Sequence, residues 1–391
     1  MYLLATCGVL SGYLLAVLIG KVRRNSKAEL FLFFLIVFAL ITRLSVGSDQ
    51  PSYQFAFQYM FDDPEGSYWY WYKRNPGFYG MNLVLTQFIR DYRWYAAAVN
   101  FICLGLCSYT ILKNSRNILF SALLFIGMGY LEVYYASGIR QMLAMSLYLF
   151  AYYQFLRKDR YLLYELFCIL ALGFHETVLP VLFLPLLKPA VKAFRQKPVR
   201  FCSLCLCVCI PVALLVTLVM PRIIPLLGLD WQYWHIISYL TNVDPSVLGI
   251  GMECVFGAGI LIVYLLGERE NVDDFTVFSV VVFLFSVFLY LAFCGFSLLS
   301  RVTDTMQIIV LVLLPNLLES IVDKRKQALC FCAAALLNAF LLFMDLRAGI
   351  PRINDECGTA YTVLNYPYIS VLDEQRCEEL LSHYYYYNSG K

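Results

Sequence analysis

The chain has 391 residues, of which 61% are apolar and only 15% are charged, whereas an ordinary soluble protein carries about 25% charged residues. This composition excludes a soluble globular protein and indicates a polytopic membrane protein. The formal net charge of +3 is too small to imply nucleic-acid binding, and no basic run interleaved with aromatic residues suggests a polynucleotide track.

The first apolar run continues to Gly20, and its length predicts a retained membrane-spanning helix rather than a cleaved signal peptide. Because basic residues follow it, the positive-inside rule places the N-terminus outside. Alternation of apolar runs with basic loops then predicts an all-α protein with about 12 transmembrane helices. These helices occupy residues 1–345, with outer loops at about 47–93 and 220–247 and an extracytoplasmic tail at 346–391.

The first outer loop contains an amphipathic pattern. Apolar side chains recur there at three- and four-residue steps, at Phe78, Met81, Leu85, Phe88 and Tyr92. This pattern predicts a helix that lies in the outer membrane interface. The aromatic run at 68–72 is typical of an interfacial belt, and stacking on sugar rings is the alternative.

The stretch from about residue 161 to 187 is too long for one span and ends in a basic segment. It therefore predicts two short helices that meet near His175. Broken helices at membrane depth are tolerated only where they line a cavity or are buried in protein. The break is thus an indication of a functional site.

Two arginines stand at the outer ends of apolar helices, Arg140 and Arg301. At a helix N-terminus, the charge of Arg140 is unfavourable to the helix dipole, so we expect an anion nearby, with snorkelling to lipid headgroups as the alternative. For Arg301 the alternative is pairing with Asp304 one turn later. Arg222 in the second outer loop is a weaker third candidate for anion binding.

Proton-transferring groups fall at the same level. Asp49 follows helix two, with Tyr53 four residues on, and N-terminal capping is the alternative role for this carboxylate. His175 at the predicted break suits proton acceptance near neutral pH or phosphate binding, with a purely structural role as the alternative. Glu176 is placed to orient it.

The chain contains 14 cysteines, and most lie in apolar runs, where they are expected to be small buried side chains rather than zinc ligands. Cys357 and Cys377 lie in the polar tail. A disulfide between them is left open, because spacing alone does not establish one.

These residues resemble the EpsG-like branch of the Wzy-type polysaccharide polymerases. The resemblance covers about residues 45–318 and is carried by Asp49 with Tyr53, by the run Ser137, Gly138, Ile139, Arg140, Gln141 with Ala144 and Ala151, by Phe174, His175 and Glu176, and by Ser300 with Arg301. The segment from Asp230 to Asp244 and the cysteine-bearing tail carry no part of it.

The resemblance implies a GT-C-like membrane glycosyltransferase that needs no metal or other cofactor. Its implied substrate is an undecaprenyl-diphosphate-linked oligosaccharide, polymerised at the outer face of a bacterial inner membrane, with a chain-length regulator as a further partner. Arginines of the predicted set would hold the diphosphate, namely Arg140, Arg301 and Arg222. Either Asp49 or His175 would accept the proton, supported by Tyr53, Gln141, Glu176 and Asp304.

Two other classes of function stay open. A ligase, or another transferase that uses a polyprenyl phosphate carrier, differs only in the acceptor. A flippase for the same lipid-linked oligosaccharide should show an internal repeat and charges along a pathway through the membrane. The candidate residues gather instead at one outer face, which favours an enzyme.

Overall fold

The computed structural model describes residues 2–23, 25–44, 49–67, 75–128, 130, 138–223, 247–268, 270, 272–293, 297–357, 360–362 and 368–389. Two compact units are present, the first formed by Met1–Glu176 with Asp323–Lys391 and the second by Thr177–Val322. Both units consist mainly of helices, so the expectation of an all-α membrane protein is confirmed.

The helices and strands of the first unit begin and end at the following residues: α1 Tyr2–Leu18, α2 Ser26–Ile41, β1 Arg43–Leu44, α3 Gln50–Asp62, α4 Pro64–Ser67, α5 Pro76–Phe88, α6 Tyr92–Asn114, α7 Ile118–Gly127, α8 Ile139–Gln154, a 3-10 turn Leu156–Lys158, α9 Tyr161–Leu172, α16 Lys324–Cys357, β2 Ile369–Ser370 and α17 Glu374–Ser389. The central helix pairs are α6 with α8 and α8 with α9, and α1 packs against α7 and α16. The α8 side chains are almost all buried, as expected for a helix surrounded by others.

The second unit begins within the 3-10 helix Glu176–Leu187 and also contains α10 Lys188–Gln196, α11 Pro198–Ile223, α12 Val247–Leu266, α13 Asp274–Ala292, α14 Ser297–Gln307 and α15 Val310–Glu319. Helix α13 is its centre, because α10, α11, α12, α14 and α15 all pack against it. Its N-terminus is fixed by Asp273, which accepts a hydrogen bond from the backbone N–H of Thr276 at 2.9 Å.

Within the described residues, six helices are long and apolar enough to cross a membrane, or seven if α14 and α15, which meet at a 48° bend, form one span. The six are Tyr92–Asn114, Glu176–Gln196, Pro198–Leu215, Val247–Leu266, Asp274–Ala292 and Lys324–Asp355. The expected number of about twelve is not confirmed. Apolar helices such as α1, α7 and α9 are shorter than a full span.

The predicted break near His175 is present. Helix α9 ends at Leu172, and a 3-10 helix begins at Glu176. Pro180 and Pro185 lie inside this second segment and cannot donate the hydrogen bonds of a regular α-helix. The residues between the two segments therefore form a turn within an apolar stretch.

The predicted amphipathic helix is present as α5. The prediction that it continues to Tyr92 is wrong. Helix α5 stops at Phe88 because Ile89 has an extended backbone, with φ −120° and ψ 120°. Asp91 then caps a new helix, its carboxylate accepting from the backbone N–H of Arg93 at 2.8 Å. Tyr92, assigned to the amphipathic helix, thus belongs to α6.

Residues of the predicted tail also depart from expectation. The last apolar helix, expected to end by about residue 345, runs from Lys324 to Cys357. Further along, β2 pairs antiparallel with β1, in the register Arg43 to Ser370 and Leu44 to Ile369. The boundary of an independent tail at 345/346 stays a prediction.

Candidate functional site

The start of α3 carries the first two candidates. Asp49 occupies the N-cap position, but its backbone is already helical (φ −86°, ψ −3°) and its carboxylate makes no capping hydrogen bond. Capping, the alternative role considered for this residue, is therefore not what it does. Tyr53 lies one turn further and is 5% exposed. Gln50 holds this turn in place, because its Nε2 donates to the Tyr92 hydroxyl at 2.6 Å.

Arg140 is the second residue of α8 and lies against Tyr53. It is close enough to the Tyr53 hydroxyl to act on its ionisation. Burial raises the pKa of this tyrosine above its usual range, the Arg140 charge opposes the rise, and the Asp49 charge adds to it. Tyr53 therefore stays protonated at physiological pH, within the field of one cation and one carboxylate.

Asn75 connects Arg140 to the broken helix. With its amide oriented to satisfy both neighbours, Asn75 Oδ1 accepts from Arg140 Nη1 at 2.6 Å and its nitrogen donates to the Phe174 carbonyl at 2.8 Å. Asn75 is 3% exposed, so these bonds are made away from water. The amide therefore joins the start of α5, the start of α8 and the end of α9.

A glycine contact makes this connection possible. Gly77 on α5 donates its backbone N–H to the Gly173 carbonyl at 2.8 Å. A Cβ on Gly77 would lie 2.9 Å from the carbonyl carbon of Gly173 and 3.0 Å from Cδ2 of Phe174, so no larger residue fits without movement of the backbone. Pro76 occupies the first turn of α5, where a missing N–H is harmless.

His175 lies at the helix break, 7% exposed, and directly follows Phe174. Its backbone N–H bonds to the Ala171 carbonyl at 3.1 Å, which fixes the turn. Its Nδ1 is 3.9 Å from Oε2 of Glu176, a distance that permits electrostatic interaction but is too long for a hydrogen bond. Because Glu176 is also largely exposed, it orients the imidazole only weakly.

In the second unit, Arg301 lies on α14 with an exposed side chain, and Asp304 follows one turn later. On the same helix, the Thr305 hydroxyl donates to the Arg301 carbonyl at 2.8 Å. Gln307 Nε2 donates to Oε2 of the buried Glu253 on α12 at 2.8 Å, and Asp304 is close enough to Glu253 to act on it electrostatically.

The structure thus brings together one part of the predicted set: Asp49, Tyr53, Arg140 and, through Asn75 and Phe174, His175. Gln141 follows Arg140 on α8 with a buried side chain. Arg301 and Asp304 belong to the second unit, and the side chain of Arg222 lies outside the described residues, as do the aromatic run at 68–72 and the segment at 230–244. Convergence of Arg140 and Arg301 on one cavity stays a prediction.

The sequence analysis missed two features of this arrangement, the bridging Asn75 and the Gly77–Gly173 contact, and it also missed the buried Glu253 of the second unit. A weak signal existed for the first two, since Asn75, Pro76 and Gly77 form a tripeptide that is typical of a helix start after a turn. Glu253 had a stronger one, because an ionisable residue inside an apolar run is a functional candidate by default.

Comparison with known proteins identifies one family. A family model described as the EpsG family matches residues 28–358. No curated relative and no solved structure matches the chain. The matched residues include the Asp49, Asn75, Arg140 and His175 region, and they end before β2.

Proposed function

The chain belongs to the EpsG family, and from this premise we propose that it is a polymerase that joins undecaprenyl-diphosphate-linked oligosaccharide repeat units at the outer face of a bacterial plasma membrane. The family is associated with glycosyltransferase and polymerase activity in polysaccharide synthesis, and the chain is a multi-pass membrane protein. A GT-C-like architecture with about twelve spans and an extracytoplasmic site are parts of the proposal.

One observation carries the proposal, the setting of Arg140. The neutral side chains of Tyr53 and Asn75 lie against the guanidinium and orient it. At the N-terminus of α8, that charge adds to the positive end of the helix dipole and favours an anion. A diphosphate meets this requirement, since it offers several oxygen acceptors and at least two negative charges.

In the proposed reaction, the glycosidic C1–O bond of the donor breaks and the diphosphate lipid leaves with the bonding electrons. A hydroxyl oxygen of the acceptor unit forms the new bond to C1 and loses its proton to a base. Arg140 stabilises the charge that develops on the leaving oxygen, and Arg301 and Arg222 are proposed to assist. Gln141 and Asp304 are proposed to support these arginines.

Asp49 and His175 are both retained as the proposed base. Asp49 lies beside Tyr53 with a carboxylate that caps no helix, and His175 lies in the turn that Asn75 holds. Separate substitutions distinguish them: of Asp49→Asn and His175→Gln, the one that removes the base should lower the rate about 10²–10⁴-fold, the usual contribution of general-base catalysis.

The test uses purified protein in lipid nanodiscs with a synthetic lipid-linked repeat unit, and the products are separated by size. We expect a ladder of products from the wild type and a rate about 10²–10³-fold lower from Arg140→Ala, the usual effect of removing one transition-state donor. Arg157→Ala is the control, because this arginine is exposed and bonds to Asn114 instead.

An undiminished ladder from Arg140→Ala contradicts the role of this arginine. A single addition to a different acceptor identifies a ligase, and movement of the lipid-linked unit across the membrane without a new bond identifies a flippase. The remaining proposed partner is a chain-length regulator. If it acts on this protein, its addition to the wild type should change the distribution of product lengths.

A further inference from the structure

Residues 368–381, here called the C-terminal strap, lie beyond the part of the chain that the family model matches. Chain termini are usually poorly ordered unless backbone hydrogen bonds tie them down, and the strap is tied down in this way. Besides the β1–β2 pairing, the Val371 N–H donates to the Thr42 carbonyl at 2.7 Å. The Tyr368 hydroxyl donates to the Ala39 carbonyl at 2.8 Å. The strap therefore fixes the end of α2, just ahead of Asp49.

The strap also packs on α3, the helix that carries Tyr53. The Gln54 amide donates to the Leu381 carbonyl at 3.4 Å. Strap side chains Val371, Cys377 and Leu380 are 1%, 0% and 6% exposed, so the contact has an apolar core. Cys377 carries a free thiol that donates to the Ser370 carbonyl, and the side chain of Cys357 lies outside the described residues.

A third contact reaches the start of α6. Arg93 Nη2 lies 2.8 Å from Oε1 of Glu374 and also binds Asp91. Because Glu374 is two-thirds exposed, this ion pair contributes little by itself. The buried side chains hold the strap, and the β-pairing sets its register.

We propose that the strap is a fixed positioning element: it holds α3 so that Asp49 and Tyr53 keep their places beside Arg140. The strap contacts both α3 and the end of α2 that precedes it. Loss of the strap should therefore let α3 move, and with it Asp49 and Tyr53. The effect on catalysis rests on the proposed polymerase function, whereas the ordering of α3 does not.

Two perturbations test the inference. Val371→Asp with Leu380→Asp places charges in the apolar contact and should release the strap. The matched control is Leu372→Asp, because Leu372 is the neighbour of Val371 and is 60% exposed. The opposite perturbation locks the strap: Leu44→Cys with Ile369→Cys converts a directly paired position into a disulfide, since paired Cα atoms lie within disulfide range.

Hydrogen exchange in peptides covering α3 is the readout that does not depend on activity. Release of the strap should speed exchange there about tenfold or more, whereas the control and the locked protein should match or fall below the wild type. The ladder rate should fall about 10²-fold on release, the cost of misplacing site residues by an ångström, and should persist in the locked protein.

The inference is overturned if hydrogen exchange in α3 is unchanged when the strap is released. It is also overturned if exchange becomes faster but the ladder forms at the full rate. A locked protein that loses the ladder also overturns it, because the strap would then be a lid that must open. If the release variant does not fold, the locked protein still decides whether the strap is fixed or must open. Absence of a ladder from the wild type defeats the proposed function instead, and the exchange result stands on its own.

Discussion

Gly77→Ala is the substitution with the most clearly defined consequence. The added Cβ would lie 2.9 Å from the Gly173 carbonyl carbon and 3.0 Å from its oxygen, and neither backbone atom can rotate away. Normal contact therefore requires α5 and the end of α9 to separate by about half an ångström, the overpacking that costs about 1–3 kcal/mol. The 2.8 Å hydrogen bond between the two glycines weakens as well.

The same helix provides the control. Gly80 lies one turn further along α5, and a Cβ there meets no atom within 4 Å. Alanine at this position should stabilise the helix by about 0.5–1 kcal/mol, because glycine in a helix interior loses more conformational entropy on folding. The two glycine-to-alanine changes should thus shift the apparent melting temperature in opposite directions.

The separation of α5 from α9 also moves Asn75, which bridges Phe174 and Arg140. We expect Gly77→Ala to lower the rate of ladder formation about tenfold to a hundredfold, and Gly80→Ala to leave it unchanged. The measurements are thermal unfolding in detergent and the nanodisc assay. A Gly77→Ala protein as stable and as active as Gly80→Ala would show that the contact neither limits the fold nor positions the site.

Three further substitutions test the same reasoning. Asn75→Leu leaves a buried carbonyl and a buried guanidinium N–H without their partner, so we expect about 1–3 kcal/mol lower stability and a weaker ladder, whereas equal stability contradicts the bridge. A hydrogen bond from Arg93 lowers the pKa of Asp91 in the folded protein. The ionised Asp91 carboxylate therefore contributes its full stabilisation of the fold above the ordinary aspartate pKa of 3.8, and this contribution is lost as the pH falls further through the folded pKa. The stability difference between wild type and Asp91→Asn should accordingly shrink below that pH, and a constant difference would refute this linkage. Glu253→Leu removes the acceptor of the Gln307 amide and should lower the stability of the protein by about 1–3 kcal/mol. Glu253→Gln keeps an acceptor and is the milder control. Equal melting temperatures for the two variants would contradict the contact.

Helix positions followed from the sequence where they depend on local composition. The break near His175 was predictable because the apolar stretch is too long for one span and ends in a basic segment. The start of α8 near Arg140 was equally local. Span number was not, because several apolar helices are shorter than the membrane is thick.

Contacts between distant segments could not be predicted. Arg93 and Glu374 are 281 positions apart, and no local pattern in either segment indicates that they pair. The role of Asn75 likewise depends on a glycine of α5 meeting a glycine after α9, an approach that is visible only when both helices are in place.

By itself, the sequence determined the membrane class, the family resemblance and the residue types suited to an anionic, lipid-linked substrate, because hydrophobicity, charge and motif are properties of short segments. Tertiary structure alone decided that Tyr53 and Asn75 are partners of Arg140, that Asp49 does not cap its helix, and that residues 368–381 pack on α3. Hydrogen bonds and close packing act over a few ångströms, so they depend on which segments the fold brings into contact.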